Sequence, residues 1–81
     1  MGKRVFTIVD LQKIAREIIG DREIDLRQEM RADDVPGWDS LNHTLIALEI
    51  AARFGANVDA PELAETDSFG DLVALVNRKL A

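Results

Sequence analysis

The chain has 81 residues, 47% apolar and 31% charged, with fifteen acids against ten bases for a net charge of −5. That length supports one domain over 1–81, because so short a chain cannot bury two cores, and the composition is too apolar for disorder. The acidic balance argues against a nucleic-acid partner, and with no cysteine and His43 as the sole histidine neither a disulfide nor a His/Cys zinc site can be assembled.

The start Met1-Gly2-Lys3-Arg4-Val5-Phe6-Thr7 has Phe6 where a myristoylation signal requires Ser or Thr, and Asp10 interrupts the apolar stretch before a signal-peptide core forms. No run approaches membrane-spanning length, so a cytoplasmic chain without membrane insertion is expected. Ile8, Leu11, Ile14 with Ala15, and Ile18 recur at spacings of three and four, which predicts a helix over 7–19. Thr7 and Asp10 form a capping-box pattern and Gly20 a stop. The β-branched run Val5–Val9 is also compatible with a strand, but the longer period favours helix.

Residues 20–39 hold Gly20, Pro36, Gly37 and many charges, with Ile24, Leu26, Met30, Val35 and Trp38 spaced too irregularly for one helix. They read as a long loop with apolar anchors, and a connection of that length in a small domain points to function. A second helix is expected from Asp39, whose side chain can accept from the amides of residues 41 and 42, to Phe54, with Gly55 as its stop. Its inner stripe is Ile46, Ala47, Ile50 and Phe54, and Glu49 with Arg53 forms an i,i+4 ion pair on the solvent side. Pro61 opens a short helix through about Glu65. Ser68 and Asp71 resemble another capping box, before a last helix whose stripe is Phe69, Leu72, Val73, Val76 and Leu80. Arg78 and Lys79 at its end complement the dipole. The expected fold is all-α: an antiparallel four-helix bundle with a long first loop and a short third helix.

Charge is unevenly placed. Residues 21–39 carry seven acids against three arginines, residues 40–55 carry only Glu49 and Arg53, and residues 56–81 carry five acids against two bases. A neutral middle helix is thus bracketed by acidic segments, a field suited to steering basic partners.

The most informative stretch is Asp33-Asp34-Val35-Pro36-Gly37-Trp38-Asp39-Ser40-Leu41-Asn42-His43. Read plainly, Asp39 caps a helix and Ser40 is a polar first-turn residue. Yet a hydroxyl at the first helical position lies beside unpaired amides and the positive end of the dipole, a favourable place for a phosphate ester. His43, three residues on, invites a Ser–His hydrolase reading, but there is no G-x-S-x-G elbow and no third orienting group. The acidic loop fails as an EF-hand, since Asp39 falls where the obligatory glycine belongs. Asn42-His43-Thr44 matches a glycosylation sequon inside a helix and is taken as chance. Trp38 is expected to anchor the loop on the core.

Asp39-Ser40-Leu41 at a helix start, after a long acidic loop and midway along a helical chain, resembles the acyl carrier protein family. The resemblance covers nearly the whole chain, including Phe54-Gly55, the short third helix and the final helix entered by Phe69. It implies a non-enzymatic carrier in which Ser40 is esterified by 4′-phosphopantetheine from coenzyme A and the terminal thiol holds an acyl thioester. It implies Asp39, Leu41 and His43 around the arm, and Leu41, Asn42, Leu45, Glu49, Asp33 and Asp34 as partner contacts. The implied partners are a phosphopantetheinyl transferase and acyl- or aminoacyl-loading and acyl-transfer enzymes, the carrier being monomeric and metal-free.

The chain departs from the pattern of fatty-acid-synthesis carriers, which follow the serine with acidic residues. Here Asn42, Leu45, Ala51 and Ala52 stand in that face, so Leu45 is expected as an apolar contact, with Asp33, Asp34, Asp39 and the acids of 59–71 supplying the negative field. Trp38-Asp39-Ser40-Leu41-Asn42-His43 looks closer to stand-alone carriers of specialised pathways, in fatty-acid or polyketide-type biosynthesis. An aminoacyl or peptidyl carrier with the same arm, and a helical interaction module in which Ser40 is only a cap or phosphorylation site, are the alternatives.

Overall fold

The computed structural model describes residues 5–80. The Met1–Arg4 part of the myristoylation reading lies outside them. Four helices follow in order, α1 (Ile8–Ile19), α2 (Ser40–Phe54), α3 (Ala60–Ala64) and α4 (Phe69–Leu80), with a single 3-10 turn at Ala32–Asp34 in the long loop. There is no strand among the described residues, so the all-α expectation holds and the strand reading of Val5–Val9 does not.

The helix ends follow local chemistry. Thr7 and Asp10 form the full capping box of α1, and Gly20 and Gly55 end α1 and α2 in the left-handed conformation. In α3 the helix begins one residue before Pro61, because Asp59 caps it by accepting from the Glu62 amide at 2.9 Å. In α4 the Ser68 hydroxyl accepts from the Asp71 amide at 3.2 Å.

α1 packs on α2 and α4, and α2 on α3. The apolar stripes named from spacing converge: Leu11, Ile14, Ile46, Ile50, Leu63, Phe69, Leu72 and Val76 are buried. Each such side chain contributes roughly 1.5–3 kcal/mol through burial. Phe6 joins them, edge-on to Phe54 with ring centroids 4.9 Å apart. Its backbone is held to α4 by Asn77, whose Oδ1 accepts from the Phe6 amide and whose Nδ2 donates to the Phe6 carbonyl, both at 2.8 Å.

The loop is anchored from both sides. Ile24, Leu26 and Val35 are buried. Arg16 Nε donates to the Ile24 carbonyl at 2.7 Å, and Gln12 accepts the Leu26 amide at 2.7 Å. At the far end the Met30 and Gln28 carbonyls accept the Phe69 and Gly70 amides at 2.9 Å each, so the loop satisfies the orphan donors of α4. This holds the loop's later residues beside the start of α2.

Candidate functional site at the start of α2

Pro36 and Gly37 turn the chain into α2. Gly37 has φ +89°, and a Cβ built there would stand 2.7 Å from Ile19 Cγ2, so both backbone conformation and space require glycine. The Gly37 carbonyl accepts from the Asn42 side-chain amide at 2.8 Å, and Asp39 Oδ1 accepts from the Asn42 backbone amide at the same distance. The expected bond to residue 41 is not made. Among the described residues the Ser40 and Leu41 amides have no intramolecular hydrogen-bond acceptor. Ser40 is therefore an exposed hydroxyl at the first helical position beside unpaired donors.

Ser40 and Asp39 stand at the rim of a cavity of about 670 Å³, walled by Trp38, His43 and Thr44 on one side and by Ala60, Leu63, Phe69 and Leu72 on the other. Asp33 and Arg31 reach it from the loop, and Asp67 and Ser68 from the connection before α4. Trp38 is half-buried and lies against Phe69 with ring centroids 4.8 Å apart, as expected of a loop anchor. Spacing singled out Ser40, Asp39, His43 and Asp33. The contributions of Arg31, Thr44 and the α3–α4 connection depend on how the loop folds back, and went unread.

His43 does not fit the Ser–His hydrolase reading. Its Nδ1 accepts from Trp38 Nε1–H at 3.0 Å and its Nε2 stands 2.9 Å from the Ala60 carbonyl oxygen. With both ring nitrogens engaged, it has no lone pair free to act as a base toward Ser40, which removes the hydrolase arrangement. It forms part of the cavity wall instead.

The remaining positions fall outside the cavity. Leu41 is 68% exposed and does not line it; Leu45 is 38% exposed, and Leu48, which sequence reading did not single out, is 60% exposed. These three leucines recur at i, i+4, i+7 and form one apolar stripe on α2. Asp34 accepts from the Arg31 amide at 2.9 Å through one carboxylate oxygen, and the Asn42 side-chain amide donates to the Gly37 carbonyl, leaving its own oxygen open. Glu49 bonds Arg53 at 2.7 Å as its spacing predicts, and Arg53 also reaches Glu17 of α1 at 2.5 Å. The hydrogen bonds that Arg53 donates, first to Glu17 and then to Glu49, raise its pKa above its ordinary value. Both charges of α2 are thus spent within the protein.

No family model matches the chain. It is 28% identical over 80 residues to the acyl carrier protein of Thermotoga maritima, covering 99% of each chain. Its fold superposes on the solution structure of the holo acyl carrier protein of Geobacter metallireducens with a TM-score of 0.79 and 32% identity, over 91% of this chain and 85% of that one. The chain belongs to the acyl carrier protein family. Its role is that of a carrier, and the long loop, the four helices and the cavity beside α2 are this family member's version of a platform for a tethered group.

Proposed function

We propose that Ser40 is the attachment point of 4′-phosphopantetheine and that residues 1–81 act as one non-enzymatic domain, presenting an acyl thioester to biosynthetic enzymes. The observation that carries this is the placement of Ser40: an exposed hydroxyl at the first position of α2, beside the Ser40 and Leu41 amides, at the rim of a cavity. The residues fit the group. A phosphodiester on Ser40 Oγ gains from the unpaired amides and from the dipole, and the cavity offers an apolar wall next to the arm. When bound, the arm supplies the thiol that holds the acyl group; the protein supplies anchoring, solubility and surfaces. A terminal thiol also needs a reducing compartment, which favours the cytoplasm.

The partners proposed are a phosphopantetheinyl transferase and acyl-loading and acyl-transfer enzymes, docking on Leu41, Leu45 and Leu48. Asp33 and Asp39 at the entrance to α2 supply the negative field there, and stand-alone carriers of specialised biosynthesis are the nearest model. The deciding experiment is incubation with coenzyme A and a broad-specificity phosphopantetheinyl transferase. A mass gain of one phosphopantetheinyl group, absent in Ser40→Ala, is expected; no gain with several transferases overturns the reading.

A further inference from the structure

One hydrogen-bonded chain near Ser40 does more than anchor the loop. Trp38 Nε1–H donates to His43 Nδ1, and His43 Nε2 meets the Ala60 carbonyl. An indole N–H can only donate and a carbonyl can only accept, so the two neighbours assign the tautomer: neutral imidazole with its proton on Nε2. Each partner lies on a different element, Trp38 ending the loop, His43 one turn into α2, and Ala60 opening α3. Trp38 in turn rests on Phe69 of α4. The chain therefore ties four parts of the fold around the one cavity that opens at Ser40.

We propose that His43 is a positioning residue for the arm on Ser40: through Trp38 and Ala60 it holds in place the wall of the cavity beside the tethered group. This rests on the reading that Ser40 carries the arm.

The chain has one tryptophan and one histidine, so a single indole N–H resonance reports on a single imidazole. In the full chain at fixed pH that resonance is expected to lie where a hydrogen-bonded indole N–H lies, to move toward the free-indole position in His43→Phe, and to return most of the way in His43→Gln. A second measurement uses protein loaded at Ser40 from octanoyl-coenzyme A, with loading verified by mass and folding by circular dichroism, and follows thioester cleavage by hydroxylamine at fixed pH. Trp38→Phe keeps a ring on Phe69 but removes the N–H, and its thioester is expected to cleave about fivefold faster, the shift that loss of one neutral hydrogen bond produces. His43→Phe behaves likewise, whereas His43→Gln, able to accept from Trp38 and donate to Ala60, recovers most of the protection. Equal cleavage in all loaded, folded variants, or an indole resonance unmoved by His43→Phe, overturns the role of His43. Absence of any mass gain overturns the carrier reading itself.

Discussion

Asp39 precedes the proposed anchor, and the structure separates two things its side chain does for α2. Its Oδ1 accepts from the Asn42 amide at 2.8 Å, and its carboxylate is the negative charge at the start of a helix whose first turn contains no acid. Loss of an N-cap costs about 1 kcal/mol, and loss of a charge at the dipole end a further 0.3–1 kcal/mol or so. Asp39→Ala should therefore lower stability by about 1–2 kcal/mol, and for a domain of this size each kcal/mol lowers Tm by roughly 4–8 °C. Asp39→Asn retains an acceptor for the Asn42 amide and loses only the charge, so its cost should be about 0.3–1 kcal/mol. Urea unfolding at neutral pH, followed by circular dichroism and Trp38 fluorescence, measures both. If Asp39→Asn proves as damaging as Asp39→Ala, the cap is not the source of the stability; if neither changes the midpoint, the assignment of Asp39 as the determinant of this helix start is wrong.

Other substitutions test other joints of the structure. Asn77→Ala removes both bonds to the Phe6 backbone and should cost about 1–3 kcal/mol, with faster hydrogen exchange at the Phe6 amide; an unchanged exchange rate would mean that the N-terminal segment is held by Phe6 packing alone. Gly37→Ala must adopt φ +89° with its Cβ against Ile19, and should destabilise by about 1–3 kcal/mol in the same urea assay. Leu45→Glu should slow loading by the cognate transferase more than Glu49→Gln does, because Leu45 is exposed while Glu49 is occupied by Arg53; the opposite order would restore a charge-led docking model. Exposed ion pairs contribute little, so Glu17→Gln should leave the unfolding midpoint nearly unchanged.

The features legible in the sequence are those whose chemistry is local. Thr7 with Asp10, Asp39 with Asn42, and the stops at Gly20 and Gly55 act within four residues, and each helix boundary they define is found in the structure. Pro61 alone points to a start of α3 one residue later than the structure has it; Asp59, three before Glu62, is the capping signal that sets the boundary at Ala60. Long-range bonds carried no such signal. Nothing in the spacing of Phe6 and Asn77, 71 residues apart, announces that one side-chain amide holds the other's backbone. Nor does periodicity show that Gln28 and Met30 carbonyls cap α4, since that requires the loop to double back. His43 was visible as a residue near Ser40, but its role depends on the direction from which Trp38 and Ala60 approach, and only the folded loop supplies that.

The placement of charge bears on how such a carrier leaves its partners. α2 presents three exposed leucines and no uncommitted charge, because Glu49 and Arg53 bond each other and Arg53 also bonds Glu17. Covering a leucine fully is worth roughly 1.5–3 kcal/mol, so three partly exposed ones offer a few kcal/mol in all, much of it offset by the cost of association. A surface that small favours brief contact, which suits a protein that must be released after each transfer. The acids before and after α2 act differently. Long-range attraction from Asp33, Asp39 and the 59–71 segment raises the rate of encounter with basic surfaces while adding little to residence time. If partners dock on the leucine stripe as proposed, approach and grip fall to separate residues: the flanking carboxylates govern arrival, and the stripe governs how long the partner stays.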